Sequence, residues 1–288
     1  MSTTTVTKAS AGTSGPVGAG PVRPVRPDAD TRIGLRANLR HIGALARRNA
    51  LQIKQDPESM FDAVFMPIIF ILLFVYVFGG AISGKGNNDV YVNYVTPGLM
   101  AMMGMNIAMG VGVGINDDFK KGVMDRFRTM PIARSSVLIA KIVVELGRMM
   151  VATLILLGMG FALGMELQES VLGLVGAIAL SAAFGAAIMW IFILLGLSLK
   201  TPQAVQGMGM IVMMPLQFGS SIFAPTTSMP GWLETFTDYN PLSNLADAAR
   251  NLINGGPVAH SVWMTLGWAL VITIVTAPLA VTKFRKKT

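Results

Sequence analysis

The run Gly79-Gly80-Ala81-Ile82-Ser83-Gly84-Lys85 has the G-x-x-x-x-G-K spacing with which a phosphate-binding loop wraps a nucleotide. Such a loop needs a Ser or Thr after the lysine to hold magnesium, with a strand before it and a helix of a soluble domain after it. Here the next residue is Gly86 and the run leaves an apolar stretch, so it reads as a glycine-rich turn and the chain has no nucleotide site of its own. Lys141, Glu145 and Arg148 recur at helical spacing at the edge of another apolar stretch. An ionisable cluster at membrane depth is a functional candidate, here a proton site; a compensated ion pair is the simpler reading, because all three can snorkel or pair. With no cysteine and only two histidines, His41 and His260, neither disulfides nor a thiolate, zinc or haem centre is expected. No nucleophile and base converge, so the chain is not expected to be an enzyme.

Two amide side chains inside the apolar stretches are further candidates. Asn106 lies among Met100, Met102, Met103, Met105 and Met109, and Gln217, next to Phe218, follows Met208, Met210, Met213 and Met214. Polar groups at depth face protein or a cavity, and flexible thioethers either accept varied apolar ligands or simply pack. Asn106, Met213, Gln217 and Phe218 are the candidates for a substrate path. Gly110 with Gly114, and Gly160 with Gly164, have the small-xxx-small spacing that lets helices approach.

The elements that position these residues follow from composition. Of 288 residues, 52% are hydrophobic and 13% charged, too little charge to solvate a globule of this size. The expected class is an all-α integral membrane protein with six transmembrane helices, at about 63–82, 95–116, 143–164, 171–198, 205–223 and 261–282. Residues 1–31 are a Thr/Ser/Gly/Ala/Pro stretch that cannot bury a core and read as a disordered cytosolic tail. With both termini cytoplasmic, only Lys85 and Arg250 of the 23 Lys and Arg fall outside, in loops that also hold Asp89, Glu166, Glu169, Glu234, Asp238 and Asp247. This satisfies the positive-inside rule, and topology accounts for the net charge of +8 without a nucleic-acid partner.

Three pieces outside the spans are informative. From Arg32 to Lys54, Leu35, Leu39, Ile42, Ala46 and Ile53 share a helical face flanked by Arg36, Arg40, Arg47 and Lys54, the pattern of an interfacial helix against anionic headgroups. It is either a plain anchor or a brace for a cytosolic partner. From Asp117 to Arg134, a short amphipathic helix is expected, with Phe119, Val123, Phe127 and Met130 on one face and Pro131 as its stop. Its phenylalanines either pack on the chain's own helix ends or plug a partner's socket. The long outer loop after the fifth span is cut by Pro225, Pro230 and Pro241 into two short helices that dip back or lie flat, with Trp232, Phe236 and Tyr239 suited to the membrane interface.

The order of basic interfacial helix, six spans, short basic loop with Gly122 and Pro131, and an outer Pro-x(4)-Met-Pro-x-Trp-Leu run from Pro225 followed by Asn240-Pro241 and Arg250 resembles the ABC-2 type permeases. The Tyr94-Val95-Thr96-Pro97-Gly98 run at the start of the second span is the other marker. Within that family the chain is most similar to the daunorubicin-resistance-type permeases of actinobacteria, from about Arg32 to Phe284. The resemblance implies a permease domain over 32–284, in the plasma membrane, paired with a second permease, identical or related. It also implies a separate cytosolic ATPase carrying ATP and magnesium, the chain itself binding no cofactor. The coupling residues would be Phe119, Lys121, Gly122, Val123, Arg126, Phe127, Arg128 and Pro131, and the outer re-entrant segment would be marked by Pro225, Pro230, Trp232, Asn240, Pro241 and Arg250. The implied cargo is a hydrophobic or amphipathic small molecule moved outward, with a complex lipid or cell-wall polysaccharide as the alternative on the same fold. A proton-coupled carrier, using Glu145 or Asp62 as relay, is the reading outside the family. Phe127→Asp should leave membrane insertion intact and uncouple the ATPase; unchanged export in that variant would remove the coupling assignment.

Overall fold

In lipid the α-helix lets an apolar run pair all of its backbone polar groups internally, and the long elements here are helices. The structure, a computed structural model, describes residues 57–82, 88–123 and 134–287. The expected tail at 1–31, the interfacial helix at 32–54, Ser83 to Lys85 and the coupling residues Arg126, Phe127, Arg128 and Pro131 lie outside the described residues. Helix α1 (Pro57–Leu73) continues through a π-helical stretch, Phe74–Phe78, and a last turn, Gly79–Ile82. Then come α2 (Asn88–Lys120), α3 (Arg134–Ala162), α4 (Val171–Ser198), α5 (Pro202–Phe218), the short α6 (Gly231–Tyr239) and α7 (Pro241–Asn254), and α8 (Val258–Lys287). The Gly79 run begins as helix, without the preceding strand that a phosphate loop requires.

Among the described residues five helical stretches are long and apolar enough to cross a membrane: Ala63–Ile82, Asp89–Lys120, Ser136–Ala162, Val171–Ser198 and Val258–Lys287. They overlap five of the six expected spans. The expected stretch at 205–223 is α5, of 17 residues and about 26 Å, at the short end of the range for a span. Gly219 ends it, and the chain turns through Ser220, Ser221 and Ile222 before α6.

Helices α2 and α4 form the centre: α3 and α5 pack on α2, α8 on α4, and α1 on α3, while α7 wedges among α2, α4 and α8. The central contact is backbone against backbone. A Cβ on Gly112 would sit 2.4 Å from the Phe192 carbonyl, and one on Gly196 2.3 Å from that of Gly112. Gly110 and Gly114, expected to serve helix approach, instead make room for side chains of α3: Arg148 Nη2 lies 3.3 Å from a Cβ built on Gly110 and Lys141 Nζ 3.1 Å from one built on Gly114. A trough without side chains can hold a cation end that any larger residue would displace. Lys141 pairs there with Asp118, and Arg148 Nε lies 3.0 Å from Glu145 Oε2, the compensated arrangement the spacing suggested.

Gly196→Val should push α2 and α4 apart, at a cost of roughly 1–3 kcal/mol. Thermal melting in detergent should show a clear loss relative to Gly207→Val, where an added Cβ meets nothing within 4 Å.

Candidate functional site

Ending α5 early leaves its last carbonyls, and the backbone of the turn that follows, in need of partners. The protein supplies them from three sides. Asn240 Nδ2 donates to Leu216 O and to Gly219 O, both at 2.8 Å, and Thr237 Oγ1 donates to Gly219 O at 3.2 Å. Tyr94 Oη donates to Ser221 O at 2.7 Å and Tyr91 Oη to Phe223 O at 3.2 Å. Arg250 Nη2 donates to Ser221 O at 3.0 Å. The Ser221 N–H in turn donates to Ser243 Oγ at 3.2 Å, and Ser221 Oγ to Asp247 Oδ1 at 2.8 Å. Phe223 stacks on Phe74 from the π-helical stretch of α1, with centroids 4.5 Å apart.

The same cluster repairs α2. Pro97 has no N–H, so the Asn93 carbonyl one turn back loses its helical donor. Asn254 Nδ2, from the last residue of α7, donates to that carbonyl at 2.9 Å, and Arg250 Nε donates to Tyr94 O at 3.1 Å. Arg250 also lies 3.8 Å over the Tyr94 ring and pairs with Asp247, so its charge is compensated on every side. A Cβ on Gly98 would come within 2.6 Å of the Ile222 carbonyl. The Tyr94-to-Gly98 marker is thereby explained: a phenol to hold the turn, a proline that frees a carbonyl for α7, and a glycine that lets the turn approach. Asn240 caps α7 by accepting the Leu242 N–H at 2.9 Å, and Pro241 takes the first helical position, where its missing N–H costs nothing.

The outer-segment residues therefore divide. Asn240 and Arg250 hold the turn and Pro241 starts α7. Pro225 is half-buried, and Pro230 is exposed at the start of α6. Trp232 is 75% exposed, with Phe236 and Tyr239 exposed on the same short helix. Tyr91, Ser221, Asp247 and Asn254 belong to the cluster and were missed in sequence. Pro97 inside an apolar run was the available signal, since a freed carbonyl demands a donor.

Of the expected substrate path, Met213 and Gln217 lie on the buried face of α5 with Val205 and Gly209. Gly209 meets Met109 of α2 and Phe192 of α4, which sets half-buried Asn106 one turn along α2 at about the level of Met213. The Gln217 Nε2 donor is buried without a partner among the described residues. Phe218 is not on that face: it is 65% exposed, on the flank of the helix about a quarter turn from Gln217.

At the basic end, α2 closes at Gly122, whose φ of 68° suits a residue without a Cβ. Lys121 is exposed and 2.7 Å from Asp117; that hydrogen bond, with the carboxylate's charge, raises its pKa above the ordinary lysine value. Val123 is half-buried. Phe119 packs within the chain, edge-on to Phe284 at 5.6 Å, which is the self-packing alternative for that ring.

Asn240→Asp keeps the cap acceptor of α7 but removes both amide donors, stripping Leu216 O of its partner and Gly219 O of one of two. The expected cost is about 1–3 kcal/mol, read as a lower melting temperature in detergent. Asn251→Asp, whose amide donates to Pro257 O at the surface, should shift it far less.

Residues 40–254 match the ABC-2 type transporter family. A daunorubicin resistance ABC transporter permease protein of Streptomyces coeruleorubidus is 35% identical over 240 residues, covering 83% of this chain and 84% of that protein. A probable doxorubicin resistance ABC transporter permease protein of Mycobacterium tuberculosis is 27% identical over 79% of this chain and 82% of its own length. A putative transport permease of Cyanophora paradoxa is 24% identical over 78% and 77%. The matched region takes in the broken α5, the turn that α7 props and the marked start of α2, and on that span of likeness the chain belongs to the ABC-2 type transporter family as a multi-pass membrane permease.

Proposed function

We propose that the chain is the permease half of an ATP-driven exporter that moves hydrophobic or amphipathic compounds of the daunorubicin class outward. The observation that carries this is the 35% identity to a daunorubicin resistance permease along five-sixths of both chains. The energy comes from a separate cytosolic ATPase that binds ATP and magnesium, this permease being no enzyme itself and holding no cofactor. A disordered tail at 1–31 precedes a permease domain at 32–284, in the plasma membrane with both termini cytoplasmic; the run of Lys283, Arg285, Lys286 and Lys287 at the end of α8 supports that orientation.

In this arrangement the segment beyond Lys121 is the coupling element. Lys121, Gly122, Val123, Arg126, Phe127, Arg128 and Pro131 meet the ATPase, while Phe119 is the root from which the segment leaves the bundle. Nucleotide-driven closure of two ATPase subunits shifts a two-state equilibrium of two permeases, identical or related, because it favours one arrangement of the coupling segments over the other. The path runs along the buried face of α5. Asn106, Met213 and Gln217 lie on it, and the unpaired Gln217 amide is a donor that a substrate carbonyl or hydroxyl can meet. Phe218 stands at its lipid-side rim. The propped turn and α6, with Pro225, Pro230 and Trp232, form the outward cap.

Purification in mild detergent should recover the chain with a stoichiometric ATPase. Inverted membrane vesicles containing both should accumulate daunorubicin with ATP and not with a non-hydrolysable analogue. Vesicles that behave alike with and without the chain would overturn the drug reading, and a lipid held stoichiometrically in its place would transfer the fold to lipid export. Gln217→Leu should weaken drug-stimulated ATP hydrolysis by about two- to tenfold in apparent affinity, one hydrogen bond's worth.

A further inference from the structure

Four helix ends meet around the root of the coupling segment. Asn116 of α2 donates through Nδ2 to Gly196 O at 2.8 Å and Leu199 O at 2.7 Å, so α2 satisfies the last carbonyls of α4. The C-terminal end of α8 meets α4 from the other side. Lys283 Nζ donates to Ser198 Oγ at 2.8 Å and Lys287 Nζ to Leu197 O at 3.4 Å, which places two cations at the negative end of the α4 dipole. Phe284, 2% exposed, meets the Phe119 ring edge-on, and the Lys287 ammonium lies 4.8 Å over that same ring. On the fourth side Lys141 ties α3 to Asp118.

These contacts have a direction. Gly112 and Gly196 bring α2 and α4 into backbone contact. Helix α8 packs along α4, and α7 wedges between α4, α8 and α2 at the other end. Phe119, two residues before the segment leaves α2, is held to α8 by one aromatic edge and one cation.

We propose that the last turn of α8 is the positioning element of coupling: Phe284 and Lys287 grip Phe119, so that displacement of the coupling segment is passed to α4 and α8 and through them to the cap at the opposite end. This rests on the coupling reading of the segment beyond Lys121. Among the described residues, Phe284 and Lys287 reach the root of the coupling segment through Phe119.

The chain has no cysteine, so a single one can report on the cap. Thr227→Cys, at an exposed position between α5 and α6, is labelled with a membrane-impermeant maleimide in the full transporter, reconstituted with its co-purified ATPase, with and without ATP and vanadate. The labelling rate should change about fivefold or more on nucleotide trapping. Lys287→Gln and Phe284→Ala should keep the ATPase bound and bring that ratio to about one, while Lys287→Arg, which retains both cation and donor, preserves it. Phe119→Leu combined with Lys287→Gln should cost no more than either change alone. An undiminished ratio in both Lys287→Gln and Phe284→Ala, with Phe127→Asp abolishing it, overturns the proposal and leaves the coupling reading standing. An undiminished ratio in Phe127→Asp, or no response to trapped nucleotide in the parent chain, overturns both. Loss of the ATPase from Lys287→Gln overturns it in favour of a docking role.

Discussion

A helix that stops against packed neighbours leaves its last carbonyls to be paired by other parts of the chain, and the arrangement of one end of this protein follows from meeting them. Helix α5 ends at Phe218 and its chain doubles back through Gly219 to Phe223. In lipid each unpaired polar group of such a turn costs several kcal/mol, so irregular backbone survives only where protein covers it. Asn240, Thr237, Tyr91, Tyr94 and Arg250 are that cover. Helix α7, too short to span, is pulled into the bundle because three of its polar residues, Asp247, Arg250 and Asn254, and its cap, Asn240, serve the turn and the proline break in α2. The apolar residues Leu242, Leu245 and Ala249 then bury against α2, α4 and α8. One helix end thus fixes the place of a second short helix and of Arg250.

The opposite end is built on the complementary problem, helix carbonyls at the point where α4 stops. Asn116, Lys283 and Lys287 meet that end, and the cations add favourable charge at the helix terminus. Between the two ends the methionines of α2 help fill the core: Met100, Met102, Met103 and Met105 are all buried, unbranched side chains that fit irregular gaps. The bundle is therefore rigid where backbones touch and is anchored by polar contacts where helices end.

Hydropathy alone was enough to find the long helices, and 171–198 was read to the residue, because a lipid-facing helix must be apolar along its whole length. The edges of α2 were not found, since Asn88 and Lys120 extend it into polar surroundings that hydropathy does not count as span. The end of α5 escaped for the opposite reason: Gly219 to Ile222 are small or apolar enough to continue a span, and only the hydrogen bonding of their backbone reveals a turn. Spacing pointed to Gly110 and Gly114 as the helix contact, yet Gly112 and Gly196 make it. A small-residue pair tells that space is needed on one helix face, and whether a helix or a lysine fills it is decided by the neighbour. Of the marked residues, Asn240, Pro241, Arg250 and Tyr94 acquired a physical role from the fold, while Phe119 turned inward because Phe284, more than 160 positions away, meets it.

The charged residues inside the helices bear on how such a chain could be driven. Glu145 is buried but faces Arg148, Lys141 faces Asp118, and Arg250 faces Asp247. A proton relay would have to neutralise an acid during its cycle, and neutralising any of these leaves a guanidinium or ammonium in the bundle without its counter-charge. For the Glu145–Arg148 pair, the most buried of the three, breaking it in this way costs roughly 3–5 kcal/mol, a penalty that a pump must recover on every turnover. An isolated acid lining a water-filled path would carry no such penalty. The pairing found here holds fixed charge in place within the bundle, which fits a permease driven from outside its own core better than one driven by protons moving through it.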